Sequence, residues 1–265
     1  MEQSANKIIW ITGASSGIGE ACAYEFAALK YNILLTATNE EKLRTVQHTC
    51  KQYGVLCEVL PYDLSDTDNI HMLCNQALAV YGRIDILFLN AGISQRSQVL
   101  DTAETVEKKI MDVNYFTPVK IAKAILPFMI ADNGGTIAVT TSISGKFGFP
   151  LRSSYAASKF ALYGFFETLH AEYYAKNIRV CFICPGRVQT NISVNALEAD
   201  GTKHGKMDEG QAQGISARKA AKKIVKAIIQ RKAEMYVGGK ELLMVNIKRF
   251  FPKLARSMVR KIKAT

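Results

Sequence analysis

Short runs dominated by Ile, Val and Leu alternate along this chain with longer stretches in which apolar residues recur every three or four positions. The runs predict strands at Lys7–Thr12, about 31–37, about 55–61, Ile84–Leu89, Thr136–Thr141, Arg179–Cys184 and Met235–Val237. The periodic stretches predict helices at about 17–30, 40–53 and 66–80, two around 103–131, and one each at about 153–175 and 216–231. Strands that alternate with helices imply right-handed βαβ units and a parallel sheet. Ile8-Ile9-Trp10-Ile11 is apolar at every position, which suits a strand covered on both faces. The expected fold class is therefore α/β, a single doubly wound domain over residues 1–240 whose central parallel sheet has about seven strands flanked by helices. A helical extension follows at 241–265. One stretch breaks the rhythm: 187–214 is polar and carries Gly201, Gly205, Gly210 and Gly214. It falls after the sixth strand, at the carboxyl edge where open α/β sheets bind ligands, and reads as a mobile lid.

With 265 residues, 48% of them hydrophobic, one domain with a full core is affordable without a linker. The net charge of +11 is concentrated: the last fifty residues hold 15 Lys/Arg against 2 Glu, and the rest is nearly neutral. The six cysteines (Cys22, Cys50, Cys57, Cys74, Cys181 and Cys184) form no disulfide framework. No secretory segment or spanning apolar run is visible, so a reduced, cytoplasmic setting is expected. Cys181 and Cys184 imitate a redox spacing, but three residues along a strand they face opposite sides. His48, His71, His170 and His204 have no ligand spacing, and no metal is expected.

Thr12-Gly13-Ala14-Ser15-Ser16-Gly17-Ile18-Gly19 lies between the first strand and the first helix. Gly13 permits the sharp turn, and Gly17 lets backbone approach a pyrophosphate at the helix N-terminus. Gly19 lets helix and sheet pack closely. The spacing is G-x-x-x-G-x-G; with a strand before and a helix after, it points to a dinucleotide-binding, Rossmann-type domain, with a purely structural turn as the alternative reading. Enzymes that use NAD place a carboxylate at the end of the second strand, but here the chain reads Ala37-Thr38-Asn39. Thr38 and Asn39 can donate to a 2′-phosphate, so NADP(H) is favoured and NAD(H) stays open.

Tyr155 and Lys159 are four apart at a predicted helix start, and Ser142 follows the fifth strand. A phenol is a poor acid–base at neutral pH unless a neighbouring cation favours the phenolate. Ser142 would then hold the developing oxyanion.

Taken together, Thr12–Gly19, Asn90-Ala91-Gly92, Asn114, Ser142, Tyr155-Ala156-Ala157-Ser158-Lys159 and Pro185-Gly186 resemble the short-chain dehydrogenase/reductase family from about Lys7 to Val237. The resemblance implies that Tyr155 is the acid–base, that Ser142 orients a carbonyl and that Asn114 holds a relay water. It implies that Lys159 binds the nicotinamide ribose and lowers the tyrosine pKa. It places Asn90 near the ribose, Asp63-Leu64 at the adenine, and Val188 and Thr190 against the carboxamide and phosphate. It further implies hydride transfer between ketone and secondary alcohol, and dimers or tetramers built on the long helices. Phe147, Phe149 and Pro150 after Ser142 favour a hydrophobic substrate. A 3-oxoacyl thioester reductase and a cofactor sensor without turnover are the competing readings.

In the extension, Leu243, Ile247, Phe250, Leu254, Met258 and Ile262 mark one apolar face among Lys248, Arg249, Lys253, Arg256, Arg260, Lys261 and Lys263, with a break at Pro252. Such a face packs on its own domain or a partner subunit, the expectation favoured here, or lies in a membrane interface. Gly201–Met207 and Lys248-Arg249-Phe250-Phe251-Pro252 resemble the seven-B-like branch of the family, whose members are linked to membranes and lipid-derived ketones. No nucleic-acid partner is expected, since no aromatic stacking platform accompanies the basic residues.

Overall fold

A computed structural model describes residues 7–262; Lys263 and the rest of both termini lie outside the described residues. Seven strands form one parallel sheet: β1 (Ile8–Thr12), β2 (Asn32–Thr36), β3 (Cys57–Val59), β4 (Ile86–Leu89), β5 (Gly135–Thr140), β6 (Ile178–Pro185) and β9 (Glu234–Val237). Their order is β3-β2-β1-β4-β5-β6-β9, so the chain reverses direction across the sheet between β1 and β4. Residues of one strand face both layers alternately. Ile9, Ile11, Ile33 and Leu35 join one core cluster, with α1 (Gly17–Ala28), α2 (Glu40–Lys51) and α8 (Ala217–Ile229). Trp10, Leu34 and Leu87 join the other, with α3 (Ile70–Tyr81), α5 (Thr117–Ala131) and α6 (Ser153–Tyr173). That division explains the unbroken apolar runs.

Some boundaries differ from those predicted. Helix α3 starts at Ile70 because Asp66 draws the preceding residues into a local turn: its carboxylate accepts from the N–H groups of Asp68 and Asn69 and from the Asn69 amide. The two helices expected over 103–131 are one continuous rod. In it α4 (Glu104–Met111) runs through a π-helical turn, Asp112–Phe116, into α5. The wide turn carries the helix past Pro118, which has no N–H to give. The 187–214 segment is folded rather than irregular. It contains β7 (Val188–Gln189) and α7 (Glu209–Ala212), and it is tied to the body by a bridge from Leu197 to Gln95. β7 pairs with β8 (Ile215–Ser216).

Beyond β9, α9 (Leu243–Phe250) and α10 (Pro252–Val259) meet at Phe251, with Pro252 in the first turn of the second helix. Their packed side consists of Met244, Val245, Ile247, Ala255 and Val259 against Ile143, Phe147 and Phe149. The predicted apolar face is largely turned outward instead. Leu243, Phe250, Phe251 and Leu254 are 61, 67, 63 and 52% exposed, so the expected packing on the body does not occur there. Ile247 and Ile262 of the same stripe face the body, so the bend at Phe251–Pro252 divides the stripe between a packed and an exposed side.

Candidate active site

The carboxyl ends of β1, β2, β4, β5 and β6 open into one cavity of about 450 Å³. This is where strand order reverses, and adjacent βα turns diverge to leave a crevice. On its floor, Gly13 and Gly17 have φ of +66° and +62°, backbone that only glycine adopts without strain. A Cβ on Gly13 would lie 2.8 Å from the Ala91 backbone, and one on Gly19 would lie 2.3 Å from the Gly13 carbonyl oxygen. Ser16 at the N-terminus of α1 makes no side-chain cap, which leaves that helix end to a ligand. An anionic pyrophosphate fits this cradle of bare backbone.

Asn90 ties the strand ends together. Its amide nitrogen donates to the carbonyls of Thr12 and Gly13, and its oxygen accepts from Thr140 Oγ1. Gly13, Ser15, Ser16, Gly17, Ile18, Thr38, Asp63, Leu64, Asn90, Ala91, Gly92, Pro185, Gly186, Val188 and Thr190 all line the cavity. Gly19 and Asn39 do not. Gly19 is behind the turn, and the Asn39 side chain caps α2 by accepting from the Lys42 N–H at 2.8 Å. Asp63 accepts from the N–H and hydroxyl of Ser65, a turn of its own rather than a helix cap.

Ser142, Tyr155 and Lys159 share one wall of the cavity. Tyr155 and Lys159 are one turn apart on α6, and Ser142 heads the short 3₁₀ turn after β5. Burial pushes the Tyr155 phenol up, while a hydrogen bond with Ser142 and the charges of Arg152 and Arg96 pull it down. Lys159 is 2% exposed, and burial holds its ammonium down at about 8. Its Nζ donates to the Thr140 carbonyl at 2.9 Å. Asn114 lies in the π turn, 1% exposed, and its amide is committed. Oδ1 accepts from the Ile93 N–H, and Nδ2 donates to the Ile93 carbonyl and to Ser158 Oγ.

Four residues that sequence reasoning missed complete this wall or support it. Gln95, fully buried, presents Oε1 to the N–H groups of Ser154 and Tyr155, at 2.9 and 3.4 Å. It caps the first turn of α6 from a distance. Arg96 donates to Asp208 through Nε at 3.1 Å and through its Nη2, and Arg152 donates to the same carboxylate at 3.0 Å. Asp208 belongs to the 187–214 segment. The Arg152 signal was present in the sequence, three residues before Tyr155 at the helix start. Nothing in spacing or composition pointed to Gln95 or Asp208. Cys181 and Cys184 fall in separate core clusters, on opposite faces of β6, with burial pushing their thiols up to about 12 and about 11.

Residues 7–201 match the family model described as short chain dehydrogenase. The chain belongs to the short-chain dehydrogenase/reductase family. Like other members, this short-chain dehydrogenase/reductase is an NAD(P)(H)-dependent oxidoreductase that interconverts CH–OH and C=O groups. It is 38% identical over 238 residues to the dehydrogenase/reductase SDR family member 7B of Xenopus tropicalis, covering 88% of this chain and 77% of that one. Its fold matches a short chain dehydrogenase/reductase of Burkholderia phymatum in complex with NAD, with TM-score 0.83, 23% identity and 96% of each chain covered. It also matches an alcohol dehydrogenase of Thermococcus sibiricus complexed with 5-hydroxy-NADP. There the TM-score is 0.76 and the identity 25%, over 89% of this chain and 97% of that one. Among the described residues, no helix is long and apolar enough to cross a membrane.

Proposed function

We propose that this short-chain dehydrogenase/reductase reduces a hydrophobic ketone with NADPH. The observation that carries the reading is a single wall on which Ser142, Tyr155 and Lys159 face the glycine cradle. The bound dinucleotide supplies the hydride. Ser142 and Tyr155 receive the carbonyl oxygen, and Tyr155 delivers the proton as charge develops there. Lys159, half titrated near pH 8, holds the ribose and stabilises the phenolate left behind. Asn114 would hold the relay water, although its side-chain amide is committed to Ile93 and Ser158. Asp63-Leu64 borders the adenine side, and Val188 and Thr190 the far end of the dinucleotide.

NADP(H) is supported by Thr38 in the cavity and by the absence of a carboxylate at the end of β2. A hydrophobic substrate is supported by Ile143, Phe149, Ile192 and Ile262 in the walls. One catalytic domain over 1–240, with a lid at 187–214 and an appended 241–265 segment, is the organisation we favour. Assembly through the 104–131 rod and α6 is supported by exposed Phe116, Phe128 and Phe160 on those helices. Contact of a cytoplasmic enzyme with an anionic lipid surface is supported by Phe250, Phe251 and Leu254 standing exposed among Lys248, Arg249 and Lys253.

The test is a panel of ketones and secondary alcohols followed by nicotinamide absorbance, with NADPH and NADH separately. Turnover that favours NADPH and vanishes in Tyr155→Phe is expected. Turnover retained by Tyr155→Phe, or none with any ketone, overturns the reading.

A further inference from the structure

The chain leaves β6 for the 187–214 segment at Pro185-Gly186-Arg187, in the wall of the cavity. A carboxylate from far along the chain occupies that exit. Glu241 lies in the single 3₁₀ turn, Lys240–Leu242, between β9 and α9. Its Oε1 accepts the Gly239 N–H at 2.9 Å and the Arg187 N–H at 2.7 Å. The first bond is local, of the kind that shapes any turn. The second spans 54 positions and joins the C-terminal segment to the end of β6. Glycines keep the space for this carboxylate. A Cβ on Gly186 would lie 2.3 Å from Oε1, one on Gly238 2.5 Å from the same oxygen, and one on Gly239 3.0 Å from Oε2. Neither Gly186 nor Gly238 has left-handed backbone, so the carboxylate, and not the conformation, is what excludes a side chain there.

We propose that Glu241 is a positioning residue for the dinucleotide: its carboxylate clamps the exit of β6 and so holds Val188 and Thr190 against the cofactor. The inference rests on the reading of the cavity as a dinucleotide site. The main-chain bonds show how the clamp acts. The Gly186 N–H donates to the Val237 carbonyl at 2.9 Å, one step beyond the last β6–β9 pair, Pro185 with Val237. The next donor, the Arg187 N–H, goes to Glu241. The Arg187 carbonyl accepts the Ile215 N–H at 3.1 Å, where β7 begins to pair with β8. Arg187 is thus the joint between two ladders, and its orientation aims β7. Three residues on, Thr190 abuts the glycine turn, since a Cβ on Gly17 would lie 2.9 Å from Thr190 Cγ2. A bond from a main-chain N–H to a carboxylate is charge-assisted, which makes it stronger than the ladder bonds around it. Because α9 begins two residues after Glu241, the C-terminal helices and the cofactor segment are held through one side chain.

The test uses the full chain with NADPH as the probe. Binding is read from nicotinamide fluorescence, and main-chain hydrogen exchange is followed by mass spectrometry with and without NADPH. Glu241→Ala should weaken NADPH binding roughly tenfold or more, the loss of one hydrogen bond to a charged group. Exchange over 186–190 should quicken while β1 and β4 keep their native rates, a local effect that a general loss of stability does not produce. Glu241→Gln keeps the length and an acceptor oxygen and should restore binding to within about threefold of native. Glu241→Asp is one CH₂ too short and should behave as the alanine variant. Gly238→Ala acts from outside the cavity wall, where its Cβ displaces the carboxylate. It should weaken NADPH binding on its own and add nothing in the Glu241→Ala background. Where Glu241→Ala folds poorly, Gly238→Ala decides by the same two readings. Native NADPH affinity in both variants, faster exchange spread evenly over the chain, additive losses, or a glutamine variant as weak as the alanine variant overturns the inference. NADPH binding by a chain that turns over no ketone would sink the proposed function and leave the clamp standing.

Discussion

The side-chain oxygen of Gln95 accepts a hydrogen bond from the backbone N–H of Tyr155 at 3.4 Å. The same oxygen takes the Ser154 N–H at 2.9 Å, and the Gln95 amide nitrogen donates to Ser97, Thr102 and Ser153. One buried side chain thus starts a helix that has no cap of its own and fixes the backbone of Tyr155.

Gln95→Met keeps the volume and removes both acceptor and donor. Two N–H groups at the start of α6 then lose their partner away from water. Unfolding in urea should show a loss of roughly 1–3 kcal/mol. The turnover number should fall more than the Michaelis constant rises, because Tyr155 loses its seat rather than the substrate its pocket.

Lys159 carries a stability cost that depends on pH. Its folded pKa of about 8 lies below the reference value of 10.5, so between those values the unfolded chain binds a proton that the folded chain does not. Stability therefore rises with pH across that window, and below it the cost is fully present. Lys159→Met should be inactive but more stable at pH 7, by about 3 kcal/mol at most. Melting curves from pH 7 to 10.5 should show the advantage shrinking as pH climbs.

Thr38→Asp places a carboxylate at the end of β2, in the cavity wall. Facing a 2′-phosphate it should raise the Michaelis constant for NADPH by roughly ten- to a hundredfold, since like charges in contact cost several kcal/mol. The constant for NADH should hold or fall. Initial rates with both cofactors decide the matter, and equal effects on the two would remove the preference proposed here.

Phe250 and Phe251 are two-thirds exposed on a segment rich in Lys and Arg. Replacing both with Ser should weaken co-sedimentation with vesicles containing phosphatidylserine by about tenfold or more. Binding by the native chain should fall with added salt. Equal binding by both forms would remove the lipid surface from consideration.

Much of this molecule can be read from its sequence. Ile8–Thr12 followed by the glycine turn is local information: each residue states its own conformational requirement. Tyr155 and Lys159 declare themselves by spacing on one helix. The pairing of Arg96 with Asp208 spans 112 positions and joins the loop after β4 to the 187–214 segment, so no periodicity records it. Asn39 shows the opposite failure. The amide whose nitrogen could donate to a phosphate also carries an oxygen that accepts at a helix cap, and the nearer partner won. The C-terminal stripe was correctly apolar, but which way it faces was set by the bend at Phe251, which the pattern of hydrophobic positions does not encode.

Ile262 lines the cavity, and α9 and α10 pack on Ile143, Phe147 and Phe149 beside Ser142. The wall beside Ser142 is thus built in part from residues about a hundred positions or more further along the chain. The glycine turn at the floor of the same cavity is complete more than two hundred residues earlier in the chain. A reporter inserted directly after Ile262 would therefore sit beside the pocket, and would disturb substrate entry before it disturbed cofactor binding.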